Sequence, residues 1–210
     1  MAWLIIVTGL PATGKSTLAT WLGKQLAIPF IHKDAIKEIL FDVLGWSDRA
    51  WSQKIGAASI ELLYYFAQMS LMAGKSIIIE NTFRPDLASA KLSALARQAN
   101  AGTIQIICRA STEVVYQRFQ QRAEAGLRHP GHVDRQVLDE PKVSLDDRPL
   151  RLDMDGEVIE IDTTDFSTVC YESILAQVKA IMGEWPSQNR RGLDTDAKKR
   201  HPTRPATPVE

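Results

Sequence analysis

Gly9-Leu10-Pro11-Ala12-Thr13-Gly14-Lys15-Ser16-Thr17 is the stretch on which the fold turns. It fits G-x-x-x-x-G-K-[ST], and its flanks give the match structural meaning. Before it, Trp3 to Val7 is a continuous apolar run, as expected of a strand buried on both faces of a parallel sheet. After it, Leu18, Leu22 and Leu26 recur every four residues, as on one face of a helix. Gly9 and Gly14 let the backbone take unusual dihedrals and approach a polyphosphate closely. The amides from about Leu10 to Ser16 are expected to form an anion nest at a helix N-terminus. Lys15 then reaches the β- and γ-phosphates, Ser16 holds Mg²⁺ and Thr17 touches the α-phosphate.

The chain around this loop has 210 residues, enough for one α/β domain with a full core. Its 25 basic residues balance 25 acidic ones. Six of the basic and three of the acidic residues fall in Pro186 to Glu210, so the remainder carries 19 against 22, a net of −3. That balance disfavours long nucleic acid as a partner. Cys108 and Cys170 form neither a disulfide framework nor a metal spacing, which fits a reducing cytoplasm. No basic leader and no apolar run near ~18 residues is evident, so neither a signal peptide nor a membrane span is expected.

Taken in order, Ile28 to Ile31 reads as a second strand that delivers His32, Lys33 and Asp34 at its carboxyl end, where open α/β sheets carry the ligand crevice. Asp34 opens a helix whose apolar side is read as Ile36, Ile39, Leu40 and Val43; Asp is also a favoured N-cap. Gly45 to Ser52 reads as a turn with exposed Trp46 and Trp51. In the long helix that follows, Ile55, Ala58, Leu62, Tyr65, Phe66 and Met69 recur at helical spacing, and its aromatics are expected in the core. Gly74 ends it. Ile77 to Ile79 is a third buried strand, running into Glu80-Asn81-Thr82-Phe83-Arg84, and Pro85 starts another helix (Ala88, Leu92, Leu95, Ala99). An apolar strand ending in a carboxylate has the form of a Walker B element, with Glu80 orienting water around Mg²⁺. Thr103 to Cys108 is a fourth strand, and Ser111 or Thr112 caps a helix in which Val115 and Phe119 face inward. Arg118 and Arg122, four apart, share a face of that helix. It feeds the breaker- and cation-rich Gly126-Leu127-Arg128-His129-Pro130-Gly131-His132, a pattern read as a mobile lid over phosphates at about 117–133. His129 and His132 lack a third ligand for a metal. Asp134 to Asp155 is a polar connection, with Asp153-Met154-Asp155-Gly156 a turn. Val158 to Ile161 is the fifth strand and sets Asp162-Thr163-Thr164 where a nucleotide base is expected. A last amphipathic helix carries Ile174, Val178, Ile181 and Met182. The chain thus divides into a domain at 1–185 and a charged, proline-rich disordered tail at 186–210.

These parts, in this order, resemble one branch of the P-loop kinases, which includes polynucleotide 5′-hydroxyl kinases, zeta toxins and chloramphenicol phosphotransferase. The resemblance covers about Ala2 to Met182. It rests on the glycine loop, on His32-Lys33-Asp34, on Ile78-Ile79-Glu80-Asn81-Thr82-Phe83, on the Arg118/Arg122 lid and on Ile161-Asp162-Thr163-Thr164. It implies a three-layer α/β/α sandwich with a five-stranded parallel sheet in the order 2-3-1-4-5 and a helical lid. The activity implied is an ATP- and Mg²⁺-dependent transfer of the γ-phosphate to a hydroxyl of a small metabolite or nucleotide-type acceptor. By this resemblance Asp34 accepts the acceptor's proton and Lys37, one turn later, steadies the acceptor. Arg118 and Arg122 clamp the transferring group, with Lys15 as the fourth catalytic residue. Gly9 to Thr17 and Thr163 hold the nucleotide, while Asn81, Thr82, Arg84 and Arg128 complete the acceptor side. Ser16 and Glu80 serve the metal, although aspartate is frequent at the position of Glu80. A monomer or homodimer is expected. The alternatives are a nucleotide-dependent ATPase switch without a small acceptor and a 5′-hydroxyl polynucleotide kinase. The absence of N-K-x-D disfavours a GTP switch, and the absence of G-x-S-x-G an acyl-transfer hydrolase.

Overall fold

The structure is a computed structural model that describes residues 1–126, 128–134 and 150–184. The tail at 186–210, Leu127 of the lid loop, and most of the connection from Asp134 to Asp155 lie outside the described residues.

Five parallel strands form one sheet: β1 (Trp3–Gly9), β2 (Phe30–His32), β3 (Ile77–Glu80), β4 (Gly102–Arg109) and β5 (Glu157–Asp162), in the order β2-β3-β1-β4-β5. The expected order is therefore the observed one. β1 runs through the middle, pairing Val7 with Glu80 on one side and Gly9 with Cys108 on the other. The carboxyl ends of β1, β2 and β3 thus lie side by side, which brings the glycine loop, the His32-Lys33-Asp34 stretch and Glu80 to one edge of the sheet.

The helices are α1 (Lys15–Leu26), α2 (Lys33–Leu44), α3 (Arg49–Met72), α4 (Pro85–Gln98), α5 (Thr112–Glu124) and α6 (Tyr171–Glu184). Alternation along β1 decides which side each serves. Ile5 and Val7 pack with Leu18 and Leu22 of α1 and with Ile174 and Val178 of α6. Leu4 and Ile6 pack with Leu63, Ala67 and Leu71 of α3 and Leu92 of α4. Every β1 side chain is buried, so truncating Ile5 or Ile6 to alanine should cost about 2–5 kcal/mol.

Several local readings are settled differently by the structure. The cap of α2 is His32, whose Nδ1 accepts from the Ala35 amide at 3.3 Å, and not Asp34; this leaves the Asp34 carboxylate for the cleft. The buried face of α2 is Ile36, Lys37 and Phe41, while Ile39 and Val43 are exposed. Gly131 and His129 cover Phe41 while Ser52 of α3 takes Lys37, which places the buried stripe one or two positions from the expected one. On α3, Leu63, Tyr64 and Ala67 enter the core, and Tyr65, Phe66 and Met69 remain exposed. The apolar sequence there is so dense that its periodicity fits more than one face. Trp46 is exposed, whereas Trp51 is partly covered in the first turn of α3 with its indole donating to the Gly45 carbonyl. Strand β2 begins at Phe30, two residues later than expected.

Candidate functional site

At the carboxyl edge of the sheet lies a cleft of about 1080 Å³. Its floor is the glycine loop. Gly9 has φ +152°, and a Cβ there would fall 2.3 Å from the Cys108 carbonyl oxygen. Gly14 has φ +79° and faces the Phe166 ring, which a Cβ would meet at 2.6 Å. Only glycine meets both demands, backbone conformation and space. The loop is held by its own side chains: Thr13 Oγ1 donates to the Leu10 carbonyl at 2.8 Å, and Thr82 Oγ1 to that of Gly9 at 2.9 Å.

Lys15 is buried, donates from Nζ to the Leu10 carbonyl at 2.8 Å and lies 3.9 Å from Glu80 Oε1. Burial lowers the pKa of its ammonium, against the attraction of Glu80. Ser16 Oγ donates to Glu80 Oε2 at 2.7 Å. A hydroxyl and a carboxylate at the edge of a phosphate-sized nest are hard oxygen ligands of the kind Mg²⁺ takes. The residues present therefore fit a Mg-nucleotide: loop amides and Lys15 for phosphate oxygens, Ser16 and Glu80 for the metal. Among the described residues no group of three or more His, Cys, Asp or Glu is placed to hold a metal.

Opposite the loop, α2 presents Asp34 to the cleft. Its Oδ1 lies 3.2 Å from Lys33 Nζ and its Oδ2 2.5 Å from Arg128 Nη2. Burial opposes its ionisation, but Lys33, Arg128 and His132 outweigh that and hold the carboxyl well below the usual range. Lys37, one turn on, is buried; its Nζ donates to Ser52 Oγ of α3 at 2.8 Å and stands 5.2 Å from the Phe41 ring centre. Burial first, then Lys33, lowers its pKa to about 8.

The segment 128–134 lies against α2. Arg128 Nη1 donates to Asp134 Oδ1 at 2.8 Å while Nη2 serves Asp34. His129 stacks on Phe41 with ring centres 5.2 Å apart, and a Cβ at Gly131 would strike the same ring at 2.6 Å. Three acids at four-residue spacing on α2, Asp34, Glu38 and Asp42, meet Arg128, His132 and His129 respectively. The two arginines of α5 diverge. Arg118 donates to the carbonyls of Thr163 and Thr164 at 2.8 and 2.9 Å and stacks 3.8 Å from the Phe166 ring centre. Arg122 approaches Asp134, with 3.9 Å between Nε and Oδ2, and its desolvation lowers its pKa.

Residues 4–147 match the family described as AAA domain. The chain belongs to the AAA-domain family. A solved structure from Chloroflexus aurantiacus J-10-fl, provisionally described as a kinase, is 40% identical, covers 86% of this chain and 98% of its own, and superposes with a TM-score of 0.78. Chaetomium thermophilum Kti12 in complex with ADP-AlF3 is 17% identical over 85% of this chain and 98% of its own, TM-score 0.55. The Mycobacterium tuberculosis APS kinase in complex with AMPPNP and APS is 15% identical over 87% and 98%, TM-score 0.52. The last two share the fold with this chain. No curated protein matches.

Within this AAA domain, of P-loop kinase type, most of the site residues named from sequence line the one cleft. Pro11, Ala12, Gly14, Lys15, Ser16 and Thr17 do so from the loop, Asp34 and Lys37 from α2, and Glu80, Asn81, Thr82 and Arg84 from the end of β3. Arg118, Arg122 and Arg128 line it from the lid side. Gly9, Leu10, Thr13 and Thr163 support it from behind; the Thr163 hydroxyl is committed to the Arg109 carbonyl. Arg84 also pairs with Asp86 in the first turn of α4. Lys33, Arg49, Asp134, His132 and Phe166 line the cleft without having been assigned a role from sequence. The acid repeat of α2 set against a basic, histidine-bearing loop was the available signal for His132; Phe166 had none.

Proposed function

We propose that this AAA domain is an ATP- and Mg²⁺-dependent phosphotransferase. It moves the γ-phosphoryl group to a hydroxyl of a small metabolite or nucleotide-type acceptor, in the manner of the polynucleotide kinase, zeta toxin and chloramphenicol phosphotransferase branch. The observation that carries this reading is the placement of Asp34, an ionised carboxylate in the same cleft as Lys15 and Ser16 but contributed by a different strand end. A nucleotide-binding switch has no need of that carboxylate.

ATP supplies the phosphoryl group, and Mg²⁺ offsets charge on its phosphates. The chain's own work is positioning and charge stabilisation. The loop amides and Lys15 bind phosphate oxygens. Ser16 and Glu80 hold the metal's side of the site. Asp34 accepts the hydroxyl proton of the acceptor, and Lys37 orients that molecule on the far side of Asp34. Arg122 closes over the transferring group, Arg128 holds Asp34 on the acceptor side, and Arg118, bound to the Thr163 and Thr164 carbonyls, frames the nucleotide.

The test is a transfer assay with γ-labelled ATP against pooled hydroxyl-bearing metabolites, nucleosides and 5′-hydroxyl oligonucleotides, with Lys15→Ala run in parallel. Label should pass to a small acceptor in the wild type and not in Lys15→Ala. Transfer to oligonucleotides alone would move the acceptor assignment to a polynucleotide kinase; label released only to water would favour an ATPase switch.

A further inference from the structure

Arg128, His132 and Glu38 form a continuous chain of polar contacts that ends on Asp34. Arg128 Nη2 lies 2.5 Å from Asp34 Oδ2 and 2.7 Å from His132 Nδ1; His132 Nε2 lies 2.8 Å from Glu38 Oε1. The carboxylate end sets the tautomer: an ionised Glu38 can only accept, so His132 Nε2 carries the ring proton and donates it. Arg128 Nη2 lies against the ring, 2.7 Å from Nδ1 and 3.2 Å from Nε2, and does not itself fix the proton. Glu38 on the far side keeps the neutral Nε2–H ring so oriented, as a second partner orients a working histidine elsewhere.

The surroundings agree with that assignment. His132 is 5% exposed, edge-on to Phe41 with ring centres 5.8 Å apart. Burial first, then the charge of Arg128, pushes its pKa down to about 3, so the ring is neutral near pH 7. Glu38 and Asp34 are one helical turn apart on α2, so the chain leaves the helix at one acid and returns at the next. The loop carrying it is short: Arg128 precedes, and His132 ends, a single 3₁₀ turn at Pro130–His132, closed by the His129 side chain accepting from the Gly131 amide at 3.0 Å. Arg128 has many rotamers of its own, and the fork alone does not choose among them.

We propose that His132 and Glu38 are positioning residues for the reaction: they hold the Arg128 guanidinium on the Asp34 carboxylate and so set the charge state and direction of the acceptor-facing acid. This rests on the role assigned to Asp34 under the proposed function. The consequence for Asp34 is specific. Lys33 pairs with its other oxygen, Asp134 shares Arg128, and Lys37 lies one turn away, so loosening Arg128 removes one of two direct partners and leaves the second. The carboxyl pKa then rises without returning to that of a free aspartate.

The experiment is a ¹³C NMR titration of the Asp34 carboxyl in the full chain, with and without Mg-AMPPNP. The variants are His132→Phe, His132→Gln and Glu38→Leu. His132→Phe keeps the packing on Phe41 and loses both hydrogen bonds; His132→Gln retains one acceptor and one donor. Expected is a rise of the Asp34 pKa by about one unit in His132→Phe and in Glu38→Leu, from the loss of a fixed opposite charge. His132→Gln should stay near the wild type. Should His132→Phe fail to fold, Glu38→Leu, half-exposed on α2, carries the same test. An Asp34 pKa unchanged in the folded variants overturns the proposal, as does a rise in His132→Gln equal to that in His132→Phe, the sign of a merely structural histidine. Failure of the underlying reading looks different: Asp34 shifts as expected, yet Asp34→Asn transfers phosphate at the wild-type rate.

Discussion

The Ser16 hydroxyl donates to Glu80 Oε2 across 2.7 Å, joining the first turn of α1 to the last residue of β3. The same carboxylate lies 3.9 Å from Lys15 Nζ through its other oxygen. Under the proposed function, Glu80 would couple the residue that faces phosphate to the residue that faces the metal. Glu80→Gln keeps the shape and the acceptor for Ser16 but removes the charge. It should raise the Mg²⁺ concentration needed for half-maximal turnover by roughly tenfold or more, the scale typical of lost partners around a bound metal. EDTA should abolish transfer in both proteins, with recovery on added Mg²⁺. An unchanged Mg²⁺ requirement in Glu80→Gln would remove Glu80 from the metal's surroundings.

Asp34 separates a kinase from a nucleotide-binding module. Asp34→Asn keeps the side-chain shape, and because His32 is the cap of α2 the helix start should survive intact. The amide has neither the charge nor the basicity to receive a proton. Transfer should fall at least about a hundredfold, within the usual contribution of a general base. Mg-ATP affinity should stay within a few-fold, as measured by titration calorimetry. Lost nucleotide binding would place Asp34 in the metal's surroundings instead.

The sheet and its order were legible because five apolar runs, each followed by a turn, leave few ways to build a parallel sheet around a glycine loop. The ends of β1, β2 and β3 were legible for the same reason, and with them Lys15, Asp34 and Glu80. The faces of α2 and α3 were not. Ile39, Val43, Tyr65, Phe66 and Met69 are apolar and exposed, and nothing in their spacing separates them from Phe41 and Leu63, which are buried. The decision lies in tertiary contacts such as Phe41 against Gly131, made across a long stretch of chain. The divergence of Arg118 and Arg122 was hidden likewise: a shared helical face was read from their spacing, but Thr163, Thr164 and Phe166 draw one of them away.

His132 gives the fold a pH dependence of known sign. Its folded pKa of about 3 lies far below the unfolded value near 6.5. Between these values the unfolded chain binds a proton that the folded protein refuses, so stability is complete above about pH 6.5 and falls as pH drops toward 3. The slope from one such group approaches about 1.4 kcal/mol per pH unit. The groups facing the ring are Arg128, Lys37 and Lys33 as cations and Asp34 and Glu38 as acids. Urea melts at pH 7, 6, 5 and 4.5 should show this slope in the wild type and a flatter line in His132→Gln. Parallel lines would mean that His132 is not held neutral.

Lys37 supplies the strongest contrast between stability and function. It is buried in the α2–α3 contact with a hydroxyl, Ser52 Oγ, as its hydrogen-bond partner and no carboxylate paired with it among the described residues. A folded pKa of about 8 against roughly 10.4 unfolded means that the protein holds this ammonium at a cost. The sign follows: between about pH 8 and 10.4 the unfolded chain binds the extra proton, so stability rises with pH there, and below pH 8 the full cost is present. Lys37→Met keeps most of the stem and its packing on Phe41, and removes the charge. Leaving Ser52 with an unpaired hydroxyl offsets part of the gain. A net stabilisation of about 1–2 kcal/mol at pH 7 is expected, with its size shrinking as the pH approaches 10. Residues that reduce stability while lining a cleft are retained for what they bind. Lys37→Met should therefore be more stable yet lose acceptor turnover, mainly through a raised KM for the acceptor with the KM for ATP unchanged. A variant that is destabilised at pH 7 and retains wild-type turnover would make Lys37 a structural element of the α2–α3 contact and not part of the acceptor site.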